Sequence, residues 1–314
     1  HTNDQRIFDY LSQYTEWLPY EHRVKALVDG VGAVPMPINM DTINTVYGLN
    51  LAAEEEVQHF LNELKADIQS PGNALEFLHN IYGKNLTELF FGAYTRKMWG
   101  LELSEMPSSI VARIPVNLGR KSCYFNDELQ YMPKEGYTAL FHNLLSHENI
   151  SVSLNTEFDK WMSRGYEHVF NAMPIDAYYE FCYGELPYRS IKFEHRVGEQ
   201  FDADVPTVNF TDSSQYTRKT CWDLYPGCGR GHKGLVTYET PCDYRENGME
   251  RYYPVKTTNG EPQKIYRRYF MLSKKESNIT FIGRCGQYIY YDMHQVVANS
   301  LKIAKDFMRE SFSA

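Results

Sequence analysis

From Ala52 to Trp99 the apolar residues recur at three- and four-residue steps, whereas from Pro107 to Phe270 they fall in short extended pieces punctuated by Pro, Gly and Asn. In Ala52–Ile68 the stripe is Val57, Phe60, Leu61, Leu64 and Ile68, and Pro71-Gly72 stops it. A second run, Leu75–Trp99, carries Phe77, Leu78, Ile81, Tyr82, Leu86, Leu89 and Phe90. A block of helix inside β-rich flanks predicts a mixed α/β chain that crosses several times between interleaved domains.

The flanks carry their own signals. Arg6–Tyr20 reads as a short helix, and Arg23–Asp29 with Ala33–Pro37 reads as a hairpin about Gly30 and Gly32. Tyr137–Leu145 is helical in pattern and Ile150–Leu154 alternates as a strand. Tyr166–Ala172 is a strand leading through Met173-Pro174-Ile175-Asp176 into a helix. At the C-terminal end a buried-looking strand, Ile279–Ile282, meets the turn Gly283-Arg284-Cys285-Gly286. A helix follows from Met293, with Val296, Val297, Leu301, Ala304 and Met308 as its apolar stripe.

Composition removes several classes of function. With 43% apolar and 23% charged residues over 314, the chain has a globular composition. A net charge of −8 argues against a nucleic-acid binder held by a basic surface, though a small anion needs only a few local arginines. No apolar run approaches the ~18 residues of a membrane span, and the opening His-Thr-Asn-Asp-Gln-Arg shows no charged-then-apolar leader. The cysteines at 123, 182, 221, 228, 242 and 285 form no Cys-x-x-Cys. They match no standard metal site, so no metal is expected and the thiols read as reduced and cytoplasmic. Sequons at Asn85, Asn149, Asn209 and Asn278 carry no meaning in that compartment. The 25 tyrosines suit stacking on a flat ring while gripping polar oxygens, although core and surface packing accounts for most of them.

Neither Gly-x-Gly-x-x-Gly nor a P-loop is present, and Gly227-Cys228-Gly229-Arg230-Gly231 lacks the preceding strand and following helix, so it reads as a loop tip. The informative stretch is Phe281-Ile282-Gly283-Arg284-Cys285-Gly286-Gln287-Tyr288-Ile289-Tyr290-Tyr291-Asp292-Met293. A strand ends in Gly-Arg, a tyrosine loop follows, and Asp292 stands as the N-cap of the last helix. Two readings remain open from these residues: a capped strand–loop–helix, or an anion site of arginine, tyrosine hydroxyls and helix N–H groups aimed at phosphates.

This stretch resembles the end of the bacterial UDP-galactopyranose mutases. So do Tyr94-Thr95-Arg96-Lys97-Met98-Trp99-Gly100, Ser108–Pro115, Tyr124-Phe125-Asn126, Met132-Pro133-Lys134, His168-Val169-Phe170, Tyr216-Thr217-Arg218 and Tyr252-Tyr253-Pro254, in the family's order along the whole chain. The resemblance implies a flavoprotein mutase fold: a partial Rossmann-like FAD domain (1–17, 135–184, 276–314), a helical subdomain (38–106) and an antiparallel-sheet substrate domain (18–37, 107–134, 185–275). The family begins with a flavin-binding strand–Gly-x-Gly-x-x-Gly–helix ending at Phe-His-Thr. His1-Thr2 match that end, so the chain is expected to be a normal enzyme shortened at its flavin cradle, and inactive and colourless alone.

The implied activity is an isomerase that interconverts UDP-galactopyranose and UDP-galactofuranose for cell-surface polysaccharide. It would need reduced FAD and work as a homodimer. In that family the flavin N5 attacks the anomeric carbon, UDP leaves, and the flavin–sugar adduct opens and recloses as the furanose. Carried over by position, Arg113 and Arg284 are diphosphate clamps, and Tyr124, Tyr253 and Tyr290 reach the same diphosphate. Phe90, Phe91 and Tyr94 match the uracil-stacking aromatics, and Trp99 lies beside the sugar. Arg189, Asn209, Arg218 and Asp292 fall on substrate-site positions, and His1, Gly283, Arg284, Asp292 and Met293 on the cofactor edge. Departures are His294 in place of an acid, and Tyr131 and Met173 in place of glycines, two changes expected to reshape tight turns. The alternatives are a mutase for another UDP-sugar such as the N-acetylated analogue, or a flavin-less, silent nucleotide-sugar-binding relative.

Overall fold

The computed structural model describes residues 1–112, 117–227 and 234–311. Helix α1 (Gln5–Leu11) opens on Asp4, whose carboxylate accepts the Arg6 N–H, and closes where the Ser12 hydroxyl and N–H both return to the Phe8 carbonyl. The helix expected over Arg6–Tyr20 therefore ends early. Its second half, closing on Trp17-Leu18-Pro19, becomes strand β1 (Trp17–Pro19), as an aromatic run ending in proline favours.

The hairpin forms as the glycines predict. Strands β2 (Val24–Val28) and β3 (Gly32–Met36) pair antiparallel from Val24 opposite Met36 to Val28 opposite Gly32, with Gly30 and Gly32 in the left-handed region. The helical block follows as α2 (Met40–Tyr47), α3 (Glu54–Leu64), α4 (Ala74–Thr87), a π-helical segment Glu88–Gly92 and α5 (Ala93–Trp99). Asn39 and Asn73 cap α2 and α4 through their side-chain oxygens. Gly83 breaks α4 with a φ of 71°, and a Cβ there would collide with the Leu64 carbonyl at the end of α3. Only glycine allows that approach. Val57, Leu61, Leu78, Tyr82 and Leu86 seal one core against Ala26, Val28 and Val34 of the hairpin.

Strand β4 (Tyr131–Pro133) pairs with β1, helix α6 (Gly136–Leu145) follows, and β5 (Val169–Asn171) leads into the short α7 (Ile175–Tyr178). The chain then builds β6 (Tyr188–Arg196), β7 (Thr207–Phe210), β8 (Arg218–Cys221), β9 (Val236–Asp243) and β10 (Tyr253–Pro254). With the hairpin these make a seven-stranded sheet in the order β10-β6-β9-β8-β7-β2-β3, antiparallel except for the parallel pair β2–β7. Helix α8 (Glu261–Ser273), strand β11 (Ile279–Phe281), the short α9 (Gly283–Gly286) and α10 (Met293–Ser311) complete the chain. Strand β11 pairs in parallel with β5, and Ile175, Tyr188, Tyr244, Tyr269, Phe281 and Tyr288 form the second core around them.

The strand expected at Ile150–Leu154 is absent. Its alternation sets Ile150, Val152 and Leu154 on one face, but that face is 42%, 53% and 79% exposed and no described strand pairs with it. A period-two pattern becomes a strand only where a neighbour completes its hydrogen bonds. Tyr131 and Met173 do not adopt the positive φ that glycine would permit, so neither substitution strains its turn. No described helix is long and apolar enough to cross a membrane. Cys123, Cys182, Cys221, Cys242 and Cys285 are unpaired.

Candidate functional site

Two rows across the sheet set the site. Directly opposed residues of paired strands share a face. Asn209 on β7 stands opposite Arg218 on β8, which stands opposite Glu239 on β9. The Arg218 guanidinium therefore lies 3.4 Å from Asn209 Oδ1 and 3.6 Å from Glu239 Oε1. Glu239 holds it firmly charged, raising its pKa against the desolvation that would lower it. About 35% of the side chain stays open, so the cation is held from behind and reachable from the front. Tyr94, Tyr124 and Tyr290 all lie within electrostatic reach of it, and burial pushes the Tyr94 phenol up to about 12.

The second row is Arg189 on β6 opposite Tyr253 on β10. Both side chains reach the C-terminal carbonyls of α5. Arg189 donates from Nε to the Met98 oxygen at 3.1 Å and from Nη2 to the Lys97 oxygen at 3.0 Å, and the Tyr253 hydroxyl also donates to Met98. Lys97 turns the other way and caps the carbonyls of Phe210 and Tyr216 at 2.9 and 2.7 Å. Helix α5 is thus bolted across the sheet at both rows, and Gly100 ends it at a φ of 66°. Trp99 is held edge-on to Tyr253 and Tyr290, at 4.9 and 5.6 Å between ring centres.

Arg284 follows Gly283 at the start of α9. Its guanidinium donates to the carbonyls of Tyr291 and Tyr252 and lies 4.6 Å above the Tyr290 ring. Those bonds fix the tyrosine loop. Its anchor is Tyr288, which sits in the left-handed region at a φ of 52° and whose hydroxyl lies 2.8 Å from both the Pro187 and Val255 oxygens, its one proton shared between them. Asp292 immediately precedes α10, and its N–H is taken by Gln295 Oε1 at 2.9 Å.

A cleft of about 340 Å³ opens beside this loop, lined among others by His1, Arg284, Asp292 and Met293. His1 stacks on Phe125 at 3.6 Å and its Nδ1 lies 2.8 Å from Asp127. His22 lines the same cleft, and burial with the charge of Arg218 depresses its pKa to about 4, so it stays neutral.

The sequence-derived residues divide accordingly. Tyr94, Tyr124, Asn209 and Tyr290 gather around the Arg218 guanidinium, with Trp99 and Tyr253 beside them. Arg284, Asp292, Met293 and His1 share the neighbouring cleft, while Gly283 shapes the turn behind it. Phe90 and Phe91 are sealed in the helical core at 1% and 3% exposure, with Phe91 stacked on Tyr82, and so present no face to a base. Arg189 is committed to α5, not turned toward a ligand. Arg113 lies outside the described residues. Sequence reasoning missed Glu239 and His22. Glu239 could have been found only from the strand register, whereas Tyr20 and His22, two apart on an extended segment, share a face that the pattern already shows.

A family model described as UDP-galactopyranose mutase matches residues 89–290. A probable UDP-galactopyranose mutase of Klebsiella pneumoniae is 36% identical across 98% of this chain and 79% of its own length. A dTDP-fucopyranose mutase of Escherichia coli is 30% identical across 99% of this chain and 84% of its own. Among solved structures, reduced UDP-galactopyranose mutase superposes with a TM-score of 0.63 at 13% identity, covering 96% of this chain and 83% of that one. A putative protoporphyrinogen oxidase from Exiguobacterium reaches 0.61 at 12% identity, covering 98% and 84%, and with the first likeness it speaks to the fold alone.

Proposed function

The chain belongs to the UDP-galactopyranose mutase family, and from that premise we propose that it interconverts the pyranose and furanose forms of UDP-galactose with reduced FAD. The observation that carries the reading is the convergence of Tyr94, Tyr124 and Tyr290 on the half-open Arg218–Glu239 pair, next to a cleft holding Arg284 and Asp292. A diphosphate needs a fixed cation with hydroxyl donors around it, and these residues supply both.

The cleft suits a flat ring system. His1 stacked on Phe125 forms an aromatic wall, and Arg284 with Asp292 lies at its edge. His1, Arg284, Asp292 and Met293 would hold the flavin there. Reduced flavin, when bound, supplies the nucleophile for the anomeric carbon. The protein's own share is positional and electrostatic. Arg218, kept charged by Glu239, takes the negative charge that grows on the departing diphosphate, and the Tyr124 and Tyr290 hydroxyls share it. Trp99, clamped by Tyr253 and Tyr290, walls the sugar. The same family reading puts the furanose product into cell-surface polysaccharide, and the enzyme in the cytoplasm as a homodimer.

A second reading has its own support, because the 30% identical relative is named a dTDP-fucopyranose mutase. Incubating the flavin-loaded, dithionite-reduced full-length enzyme with UDP-galactofuranose or dTDP-fucofuranose and separating the products by chromatography decides between them. Conversion of the UDP-sugar is expected. Turnover of only the dTDP-sugar would move the assignment to the second reading, and turnover of neither would refute both.

A further inference from the structure

Strand β10 has two residues and pairs, among the described strands, only with β6 at the sheet's edge. Yet it carries Tyr253 and follows directly on Tyr252, whose carbonyl takes a bond from Arg284 at 3.0 Å. The segment leading into it is irregular. Gly248 and Met249 sit in the left-handed region at φ of 61° and 67°, and Gly248, Met249, Glu250 and Tyr252 are all exposed. Between them Arg251 turns inward. Its guanidinium lies 4.5 Å from the ring centre of Tyr244 and 5.6 Å from that of Tyr188, two rings that are themselves buried. Its carbonyl takes the Cys285 thiol at 3.6 Å, and burial pushes that thiol up to about 11, so it keeps its proton.

The rings leave the fork of this arginine unanswered. Nε and Nη2 are sealed from solvent and have no hydrogen-bond partner among the described residues. The same holds for Asp176 Oδ1, on a fully buried side chain in the first turn of α7, whose other oxygen accepts the Leu186 N–H at 2.9 Å. Burial raises the pKa of this carboxyl and the charge of Arg251 works against that rise, so the two groups share one electrostatic neighbourhood. Two donors on a cation and one acceptor on an acid, each sealed and each lacking its partner, complement one another. A single water accepting from Nε and Nη2 and donating to Oδ1 would make three bonds, the usual number for a buried water. Arginine and aspartate are almost never buried unless paired, and either one left without the other is the costly case.

We propose that Arg251 is a positioning residue for the diphosphate site: its buried fork answers Asp176, directly or across one water, and so fixes the chain that carries Tyr253 and holds Arg284. The ligand rests on the mutase reading above; the pair does not. The test measures UDP affinity of the flavin-loaded full-length enzyme by calorimetry, well below the thermal midpoint of each variant, so that lost stability alone does not register. Arg251→Gln and Asp176→Asn should each weaken UDP by about three- to tenfold, the worth of one displaced hydrogen bond. Because each removes the same couple, the double variant should be no more than about twofold worse than either single one. Arg251→Lys, which keeps the charge but not the fork, should recover part of the loss. Lower midpoints with wild-type UDP affinity would make the pair structural only and overturn the proposal, and so would losses that multiply in the double variant. A crystal structure of the wild type serves where the single variants do not fold. The fork is expected to face Asp176 with at most one water between them, and a guanidinium turned to solvent would overturn the proposal. Wild-type enzyme that binds no UDP would overturn the mutase reading, while the crystal structure would still decide the pair.

Discussion

The resemblance would make Arg189 a substrate-site residue, but its hydrogen bonds make it the C-terminal clamp of α5, and the two roles predict opposite phenotypes. Arg189→Ala removes charge-assisted bonds of 3.1 and 3.0 Å to the carbonyls of Met98 and Lys97. Each such bond is worth roughly 1.5–3 kcal/mol when its acceptor is left unpaired. Two things reduce the sum. The Tyr253 hydroxyl continues to serve Met98, and Arg189 is only half-buried, so water reaches the vacated Lys97 oxygen. A net loss of about 2–4 kcal/mol of stability is expected, including the few tenths that a cation contributes at a helix C-terminus. Arg189→Lys should recover less than half, because an ammonium cannot straddle two carbonyls as the fork does. The assay is chemical denaturation of both variants beside UDP affinity by calorimetry. Affinity should fall modestly, through looser seating of Trp99 and Tyr94 on α5. If Arg189→Ala unfolds at the wild-type denaturant midpoint and loses UDP affinity a hundredfold, Arg189 is a ligand contact and the clamp is wrong.

Two other perturbations follow from the same geometry. Tyr288→Phe removes the hydroxyl proton shared by the Pro187 and Val255 oxygens at 2.8 Å and should cost about 1–3 kcal/mol, since it leaves both carbonyls without that donor. It should also loosen the loop that carries Tyr290 and Arg284, and thermal unfolding that matches wild type would count against Tyr288 as the anchor. For pH, His22 titrates near 6.5 when unfolded and near 4 in the fold, burial being the larger cause and Arg218 the smaller. The unfolded state therefore takes up the proton first: stability is unaffected above about 6.5, falls as pH drops toward 4, and levels below. At about 1.4 kcal/mol per unit the loss stays under roughly 3 kcal/mol, because the ring is partly open. In His22→Asn that limb should vanish, and parallel denaturation curves for the two proteins through this window would assign the proton uptake to other groups.

What the sequence made legible was whatever depends on local pattern. The hairpin was readable because Gly30 and Gly32 are the residues a left-handed turn requires. The helical block was readable because its stripe recurs at helical spacing, and the Gly-Arg–tyrosine–Asp stretch was found because strand, loop and cap lie within one continuous run. What stayed hidden depends on register and on depth. Glu239 becomes the partner of Arg218 only because β8 and β9 pair with those two residues opposed, and a shift of one residue would turn Glu239 to the far face. Phe90 and Phe91 share the composition of a base-stacking pair, and nothing in the local pattern distinguishes that from a core pair; the tight approach of α4 to α3 at Gly83 buries the helix that carries them. The Ile150–Leu154 alternation is the converse, a strand pattern without a neighbour to answer it. Arg189 shows where the two scales meet. Its position on β6 is a matter of sequence, but its function as a clamp is fixed by Tyr253 across the sheet and by where α5 stops, at Gly100. A Cβ at Gly100 would come within 3.1 Å of the guanidinium, so the same small residue that ends the helix also makes room for the arginine that holds it.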